Sequence, residues 1–310
     1  MTLFASVMGI GGLSLAWRRA ALVWDVPRWP MQALFWLAAG VFVLVLAAYV
    51  AKWVRHPRAA RAELAHPIRM AFVPTITISL IILATAGQDL LPAGVPQALW
   101  WVGAVGHLLL TVAVIGAWFE RQDIGLTQVT PAWFIPVVGN VITPLAAPHL
   151  GSTELAWFAF GVGLMFWLAL LPLLLLRVLL HSDPLPLKLL PTIAIFVAPP
   201  AVAGISWVTL QQQGIDPVVR ILYAATLAFL VIAAAQLPRL VHVPFGLPYW
   251  AYTFPLAAAA AFTTLVAGGL ESPTYDVIAV GVLALATGGV ADVAALTLRA
   301  VARREICVPE

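Results

Sequence analysis

The stretch Leu247-Pro248-Tyr249-Trp250-Ala251-Tyr252-Thr253-Phe254-Pro255-Leu256 sets a proline inside an apolar run long enough to cross a membrane. Proline there removes a backbone hydrogen bond and clashes with the preceding turn. Hydrocarbon cannot satisfy the freed carbonyl, so broken backbone at membrane depth is tolerated only where protein or a water-filled cavity surrounds it. A helix of this kind belongs inside a bundle, and the pattern recurs. Phe72-Val73-Pro74, Phe134-Ile135-Pro136 and Phe196-Val197-Ala198-Pro199-Pro200 precede it at intervals of roughly 60 residues, and Phe4 stands ahead of Gly9, Gly11 and Gly12. A fixed period of this kind marks internal repeats. The breaks at Gly9 and Gly12, Pro74, Pro136, Pro199 and Pro200, and Pro255 fall at one depth in five apolar runs, which implies a central path bordered by those five segments.

Composition sets the class. The chain is 63% hydrophobic and 9% charged with mean hydropathy +1.00, where a soluble domain carries about 25% charged residues. It reads as an all-α polytopic membrane protein. The first segment, Leu3 to Trp17, lacks the basic region and the small-residue cleavage site of a signal peptide, so it reads as a mature helix. Tryptophans such as Trp17, Trp24, Trp29, Trp53, Trp100, Trp101 and Trp118 lie near run ends, where indoles anchor at the membrane surface. The single cysteine, Cys307, excludes an internal disulfide and a thiolate metal cluster. No metal or cofactor is expected. A pI of about 9.4 in so apolar a chain points to anionic lipid headgroups rather than nucleic acid.

A transmembrane helix needs about 20 mostly apolar residues. One membrane domain over residues 1–310 then holds ten helices, at 3–17, 31–54, 70–91, 95–118, 131–148, 153–179, 189–211, 216–237, 247–268 and 274–300. Turn chemistry at Pro92-Ala93-Gly94, Asp183-Pro184-Leu185-Pro186 and Gly214-Ile215-Asp216-Pro217 makes neighbours antiparallel. The chain reads as five hairpins, each a broken odd-numbered helix followed by a smoother even-numbered one, with Pro172 in the sixth helix as the exception. A cytoplasmic N-terminus puts twelve Lys and Arg on inner loops and the tail (the cluster from Lys52 to Arg69 among them) against four outside, Arg18, Arg19, Arg28 and Arg220. That bias predicts a multi-pass protein of the inner (plasma) membrane with both termini cytoplasmic.

Charge at bilayer depth is costly and usually functional, and here it is scarce. Asp292, late in the tenth helix, is either a proton site or an interfacial carboxylate paired with Arg299. His107, after Gly103 and Gly106, is either an interhelical hydrogen-bond donor or a ligand. Asn140, beside the fifth helix's break, bonds either freed backbone or a passing ligand. No His, Asp or Glu cluster suits a hydrolase or transferase, and no carboxylate relay suits a coupled carrier. What remains is a path lined by backbone, small residues and aromatics. A half-helix that restarts at mid-membrane points its positive end into such a path and favours anions without a fixed binding site. A phenylalanine at the narrowest point gates by blocking and dewetting.

The string Trp250-Ala251-Tyr252-Thr253-Phe254-Pro255 resembles the ninth-helix signature of the tellurite-resistance/C4-dicarboxylate transporter family, which includes the plant slow anion channels. Phe72-Val73-Pro74-Thr75-Ile76-Thr77-Ile78-Ser79, Trp133-Phe134-Ile135-Pro136-Val137-Val138-Gly139-Asn140 and Glu154-Leu155-Ala156-Trp157-Phe158-Ala159-Phe160-Gly161-Val162-Gly163 resemble its third, fifth and sixth helices. The resemblance runs from Phe4 to about Arg299. It implies quasi-fivefold hairpins around a central pore, a homotrimer with one pore per protomer, and Phe254 as the residue that occludes the pore. The expectation is an anion channel for small monovalent anions such as chloride or nitrate, with Phe4, Phe72, Phe134 and Phe196 as apolar lining. The alternative is a proton-linked carrier or exporter of dicarboxylates such as malate, or of oxyanions such as tellurite and sulfite. That reading needs Asp292 or His107 in the path.

Overall fold

The computed structural model describes residues 2–66, 68–121, 124–180, 185–240, 242–303 and 305. Among them are helices and connecting turns and no strand. The membrane helices are α1 (Phe4–Trp24), α2 (Trp29–Arg55), α3 (Arg69–Gly87), α4 (Val95–Glu120), α5 (Pro131–Leu150), α6 (Thr153–Leu179), α7 (Leu187–Gln211), α8 (Pro217–Ala234), α9 (Leu247–Leu270) and α10 (Pro273–Ala302). Nine described segments, α2 to α10, are long and apolar enough to cross a membrane by length and composition. At 21 residues, α1 is about 31 Å long, the thickness of a hydrocarbon core. It runs well past the expected end at residue 17. The Lys52–Arg69 segment also holds a short helix, Pro57–Ala65, that the sequence reading missed, with Lys52 Nζ 2.6 Å from Glu63 Oε1. The Asp183-Pro184 half of one expected turn, Arg304 and Cys307 lie outside the described residues.

Two concentric layers follow from burial. The central windows of α3, α5, α7 and α9 are 72–83% buried, whereas those of α2, α4, α6, α8 and α10 are 17–39% buried. The inner helices touch in the cyclic order α1, α3, α5, α7, α9 and back to α1, and each even-numbered helix packs on the odd-numbered one before it. The outer layer shows large apolar side chains such as Leu44, Val112, Leu179, Val231 and Leu298. In water such a surface would be an aggregation liability; in lipid it is solvated. The inner layer closes because small residues let backbones approach. Ala257, Ala259 and Ala260 of α9 are fully buried, and the Phe262 ring lies where a Cβ on Gly204 of α7 would have to go.

The prolines act more gently than broken backbone implies. α3, α5 and α7 each open with a 3-10 stretch, at Arg69–Phe72, Pro131–Phe134 and Leu187–Val197, and become α-helical at Thr75, Ile135 and Ala198. A proline strips the donor from the carbonyl four residues earlier. In each case the residue just before the proline donates to that carbonyl instead: Val73 to Met70, Ile135 to Ala132, Ala198 to Ile195. The tighter helix thus satisfies what the proline freed. Two expected breaks do not form. α1 is continuous through Gly9 and Gly12, because glycine in a helix costs only about 1 kcal/mol and tertiary packing overrides it. α9 is continuous α-helix from Trp250 to Leu270 through Pro255.

Candidate functional site

A small cavity of about 40 Å³ sits inside the ring, toward the N-terminal ends of the odd-numbered helices. All five contribute, through Ala5 and Met8 of α1, Thr75 of α3, Ile135 of α5, Ala198 of α7 and Trp250, Ala251 and Phe254 of α9 among others. Its wall is almost wholly apolar. Thr75, Ile135, Ala198 and Trp250 are each the first α-helical residue of their element, and Ala5 is the second of α1. Five helix N-termini therefore converge on one space. Unbonded, each would carry roughly half a positive charge; the preceding 3-10 turns spread that charge back along the chain. Their amides are occupied, as the 3-10 bonds show, so they supply a diffuse positive potential and no open anion nest. Room for only a few water molecules and an apolar wall make the space easy to dewet.

Phe254 lines this cavity. Its ring, 7% exposed, lies against Gly12: a Cβ there would stand 3.0 Å from the ring's Cδ2 and 3.2 Å from Ala257 Cβ. At Gly9 a Cβ would overlap the Thr253 hydroxyl. The α1 glycines expected to break a helix instead form a groove that seats α9. Pro255 strips the usual donor from the Ala251 carbonyl, and Ala251 itself lines the cavity.

The other phenylalanines divide. Phe72 and Phe134 line the cavity. Phe4 and Phe196 do not, against the expectation. Phe4 packs edge-on to Phe42 and Tyr49 of α2, with ring centroids at 5.8 and 6.2 Å. Phe196 stacks on Phe229 of α8 at 5.6 Å and touches Phe134 edge-on at 5.4 Å. Phe4 thus turns toward α2, and Phe196 sits between Phe134 of the ring and Phe229 of α8.

His107 and Asn140 join one fully enclosed network rather than the cavity wall. The Pro136 carbonyl accepts from His107 Nε2 at 3.0 Å and from Thr111 Oγ1 at 2.7 Å. Since a carbonyl only accepts, Nε2 carries the proton. Nδ1 stands 2.9 Å from Thr77 Oγ1, which also reaches the Pro74 carbonyl at 2.9 Å. Asn140 Nδ2 donates to Thr111 Oγ1 at 2.8 Å. The imidazole lies against Gly139, whose missing Cβ leaves it room. The network ties α3, α4 and α5 together beside two of the prolines, and each such bond contributes about 1 kcal/mol net while costing more if left half-made. Asp292 lies on the exposed outer side of α10. Among the described residues it forms no ion pair with Arg299, a correction to the expected pairing. It stands outside the cavity wall, exposed on α10 near Tyr249 and Tyr252 of α9.

A second, wider cavity of about 350 Å³ opens toward the C-terminal ends of the odd-numbered helices. Arg19 of α1, Pro148 and His149 of α5, Thr209 and Gln212 at the end of α7, and Leu265 and Gly269 of α9 border it. The sequence reading treated Arg19 only as an orientation signal. The signal that finds it is helical spacing: Ala5, Met8, Gly12 and Arg19 recur at three, four and seven residues, one face of α1. Among the described residues no group of three or more His, Cys, Asp or Glu could hold a metal.

Comparison with known proteins agrees with this architecture. The family described as SLAC1, voltage-dependent anion channel, matches residues 1–298. An uncharacterized transporter of Methanocaldococcus jannaschii is 28% identical over 90% of this chain and 86% of its own length. The S-type anion channel SLAH3 of Arabidopsis thaliana is 27% identical over 92% of this chain but only 45% of its own. A tellurite resistance protein TehA homolog of Haemophilus influenzae is 24% identical over 83% of this chain and 78% of its own. The chain belongs to the voltage-dependent anion channel family, a family of multi-pass anion channels and transporters rather than enzymes.

Proposed function

We propose that this protein is a passive channel for small monovalent anions of the chloride or nitrate class, shut by Phe254 in the conformation described. The observation that carries the reading is the convergence of five helix starts on an apolar cavity that Phe254 helps to line. Diffuse positive potential favours anions, and the absence of a fixed charge in that wall lets them leave again, as conduction requires. Phe72 and Phe134 supply apolar lining beside the gate. The carrier reading finds no support in the geometry, since Asp292 is on the outside and His107 is enclosed behind α5. The positive-inside bias puts both termini in the cytoplasm of an inner (plasma) membrane, and the homotrimer implied by the resemblance remains part of the proposal.

The test is current across a bilayer or oocyte membrane for wild type and Phe254→Ala, in an anion gradient at equal pH on both sides. The expected result is a large mutant current reversing near the anion equilibrium potential, with unchanged expression. Silence in both, alongside gradient-driven uptake of labelled malate into vesicles, overturns the channel reading in favour of a carrier.

A further inference from the structure

We propose that the wider cavity is an anion-capture vestibule in series with the gate, with the Arg19 guanidinium as its binding group and small planar oxyanions, nitrate-like in shape, as its preferred ligands. The proposal deepens the channel reading above and rests on it for its role in conduction.

The sequence explains why the arginine is there. Trp17-Arg18-Arg19 lies on a continuous helix, where consecutive side chains are turned by about 100°. Arg18 and Arg19 must therefore go to different places. Arg18 turns outward, and its Nη2 meets Asp89 Oδ2 at 2.6 Å. Arg19 turns to the face that carries Met8 and Gly12 and borders the cavity. It stands seven residues beyond Gly12, two turns or roughly 10 Å along α1. Because α1, α5, α7 and α9 border both cavities, the Arg19 cavity lies farther toward the C-terminal ends of the same four helices that line the Phe254 cavity.

Nothing in the described protein answers this charge. No carboxylate borders the cavity, and no described residue forms an ion pair or hydrogen bond with Arg19. The acidic groups of this end are placed elsewhere. Asp89 is held by Arg18, Asp216 accepts from Trp207 Nε1 and the Val219 amide at 2.8 Å each, and Asp276 accepts from Trp24 Nε1 at 2.8 Å. Asp25, Glu154 and Glu271 are exposed and outside the lining. Thr209 spends its hydroxyl proton on the Ile205 carbonyl at 2.9 Å and cannot donate to an anion as well. A half-buried guanidinium with five donors and no protein acceptor calls for an anion or water. Its rigid fork matches a planar oxyanion with two parallel bonds, which a spherical halide cannot use. The mouth's width keeps binding weak, and a channel needs weak sites.

The test uses purified full-length protein in detergent at constant ionic strength, exchanging gluconate for nitrate or chloride and following the unfolding temperature. Ligand that binds only the folded state raises it. The expected result is a larger rise with nitrate than chloride in wild type, no nitrate rise in Arg19→Gln, and an equal, smaller rise with both anions in Arg19→Lys. Equal nitrate responses in wild type and Arg19→Gln overturn the proposal. In the Phe254→Ala background, Arg19→Gln should lower nitrate current several-fold at low nitrate and converge with its parent at high nitrate. An Arg19-dependent nitrate response without any Phe254→Ala current keeps the site and sinks the channel. A Phe254→Ala current indifferent to Arg19 at every concentration does the reverse.

Discussion

At the residue scale, the bearing of a side chain decides what it can do. Recurrence beside a proline fixes a phenylalanine's depth, but its bearing rotates by about 100° for each residue of offset. Phe72 and Phe134 each stand two residues before their proline and both reach the cavity, while Phe196 stands three before Pro199 and turns to Phe229. Phe4 precedes glycines that never interrupt the helix, so nothing tied it to the axis. The sequence thus carried the recurrence of the phenylalanines beside prolines or glycines, but not the direction of each ring. The same geometry gives a prediction about the seat of the ring. Gly12→Ala puts a methyl 3.0 Å from Phe254 Cδ2, closer than a relaxed contact, so the ring must yield. The expected anion current lies above wild type and below Phe254→Ala, at unchanged expression. A Gly12→Ala current equal to wild type would show that the ring's position does not depend on α1.

At the element scale four of the inner helices were legible because proline is visible in sequence and always removes one backbone donor. What sequence could not show is the remedy. The 3-10 turns that return a donor to Met70, Ala132 and Ile195 depend on backbone angles, and the enclosed His107 network depends on which helices meet. The start of α8 is a simpler case. Asp216 caps it, accepting from the Val219 amide at 2.8 Å, and Trp207 Nε1 donates to the same carboxylate at 2.8 Å. These bonds, the amide's first, hold its pKa below the usual carboxylate value. A depressed pKa means the unfolded chain binds the proton more readily, so the stabilisation is complete above the unfolded carboxylate pKa and is lost as pH falls through the folded one. Wild type should therefore unfold at a higher temperature than Asp216→Asn at neutral pH, with the gap closing as pH drops below about 4. A gap that stays constant down to acid pH would mean the charge contributes nothing to the cap.

At the scale of the whole molecule, two layers and a closed ring match the alternation: the helices marked near their starts by proline or by the α1 glycines lie inside, and the even-numbered ones, α6 with its Pro172 included, lie outside. The odd/even rhythm was readable, because lipid-facing helices need only be apolar whereas inner ones must be small and interruptible. The closing contact between α9 and α1 was not, since residues some 240 apart leave no local trace. Orientation also belongs to this scale. A membrane-impermeant thiol reagent should leave the chain's one cysteine, Cys307, unmodified in intact cells and modify it in inside-out vesicles. Labelling in intact cells would reverse the assigned topology and exchange the two mouths. The seam between α9 and α1 has a consequence for how the protein is made. Ribosomes deliver the first inner helix early and the fifth near the end, so through most of translation the nascent chain is an open crescent with no lumen. The segment that completes the ring, Trp250 to Leu270, also carries Phe254 and meets the glycines of α1 in one closing event. With Phe254 as the proposed gate, the cell is never exposed, during biogenesis, to a finished conduit that lacks its plug.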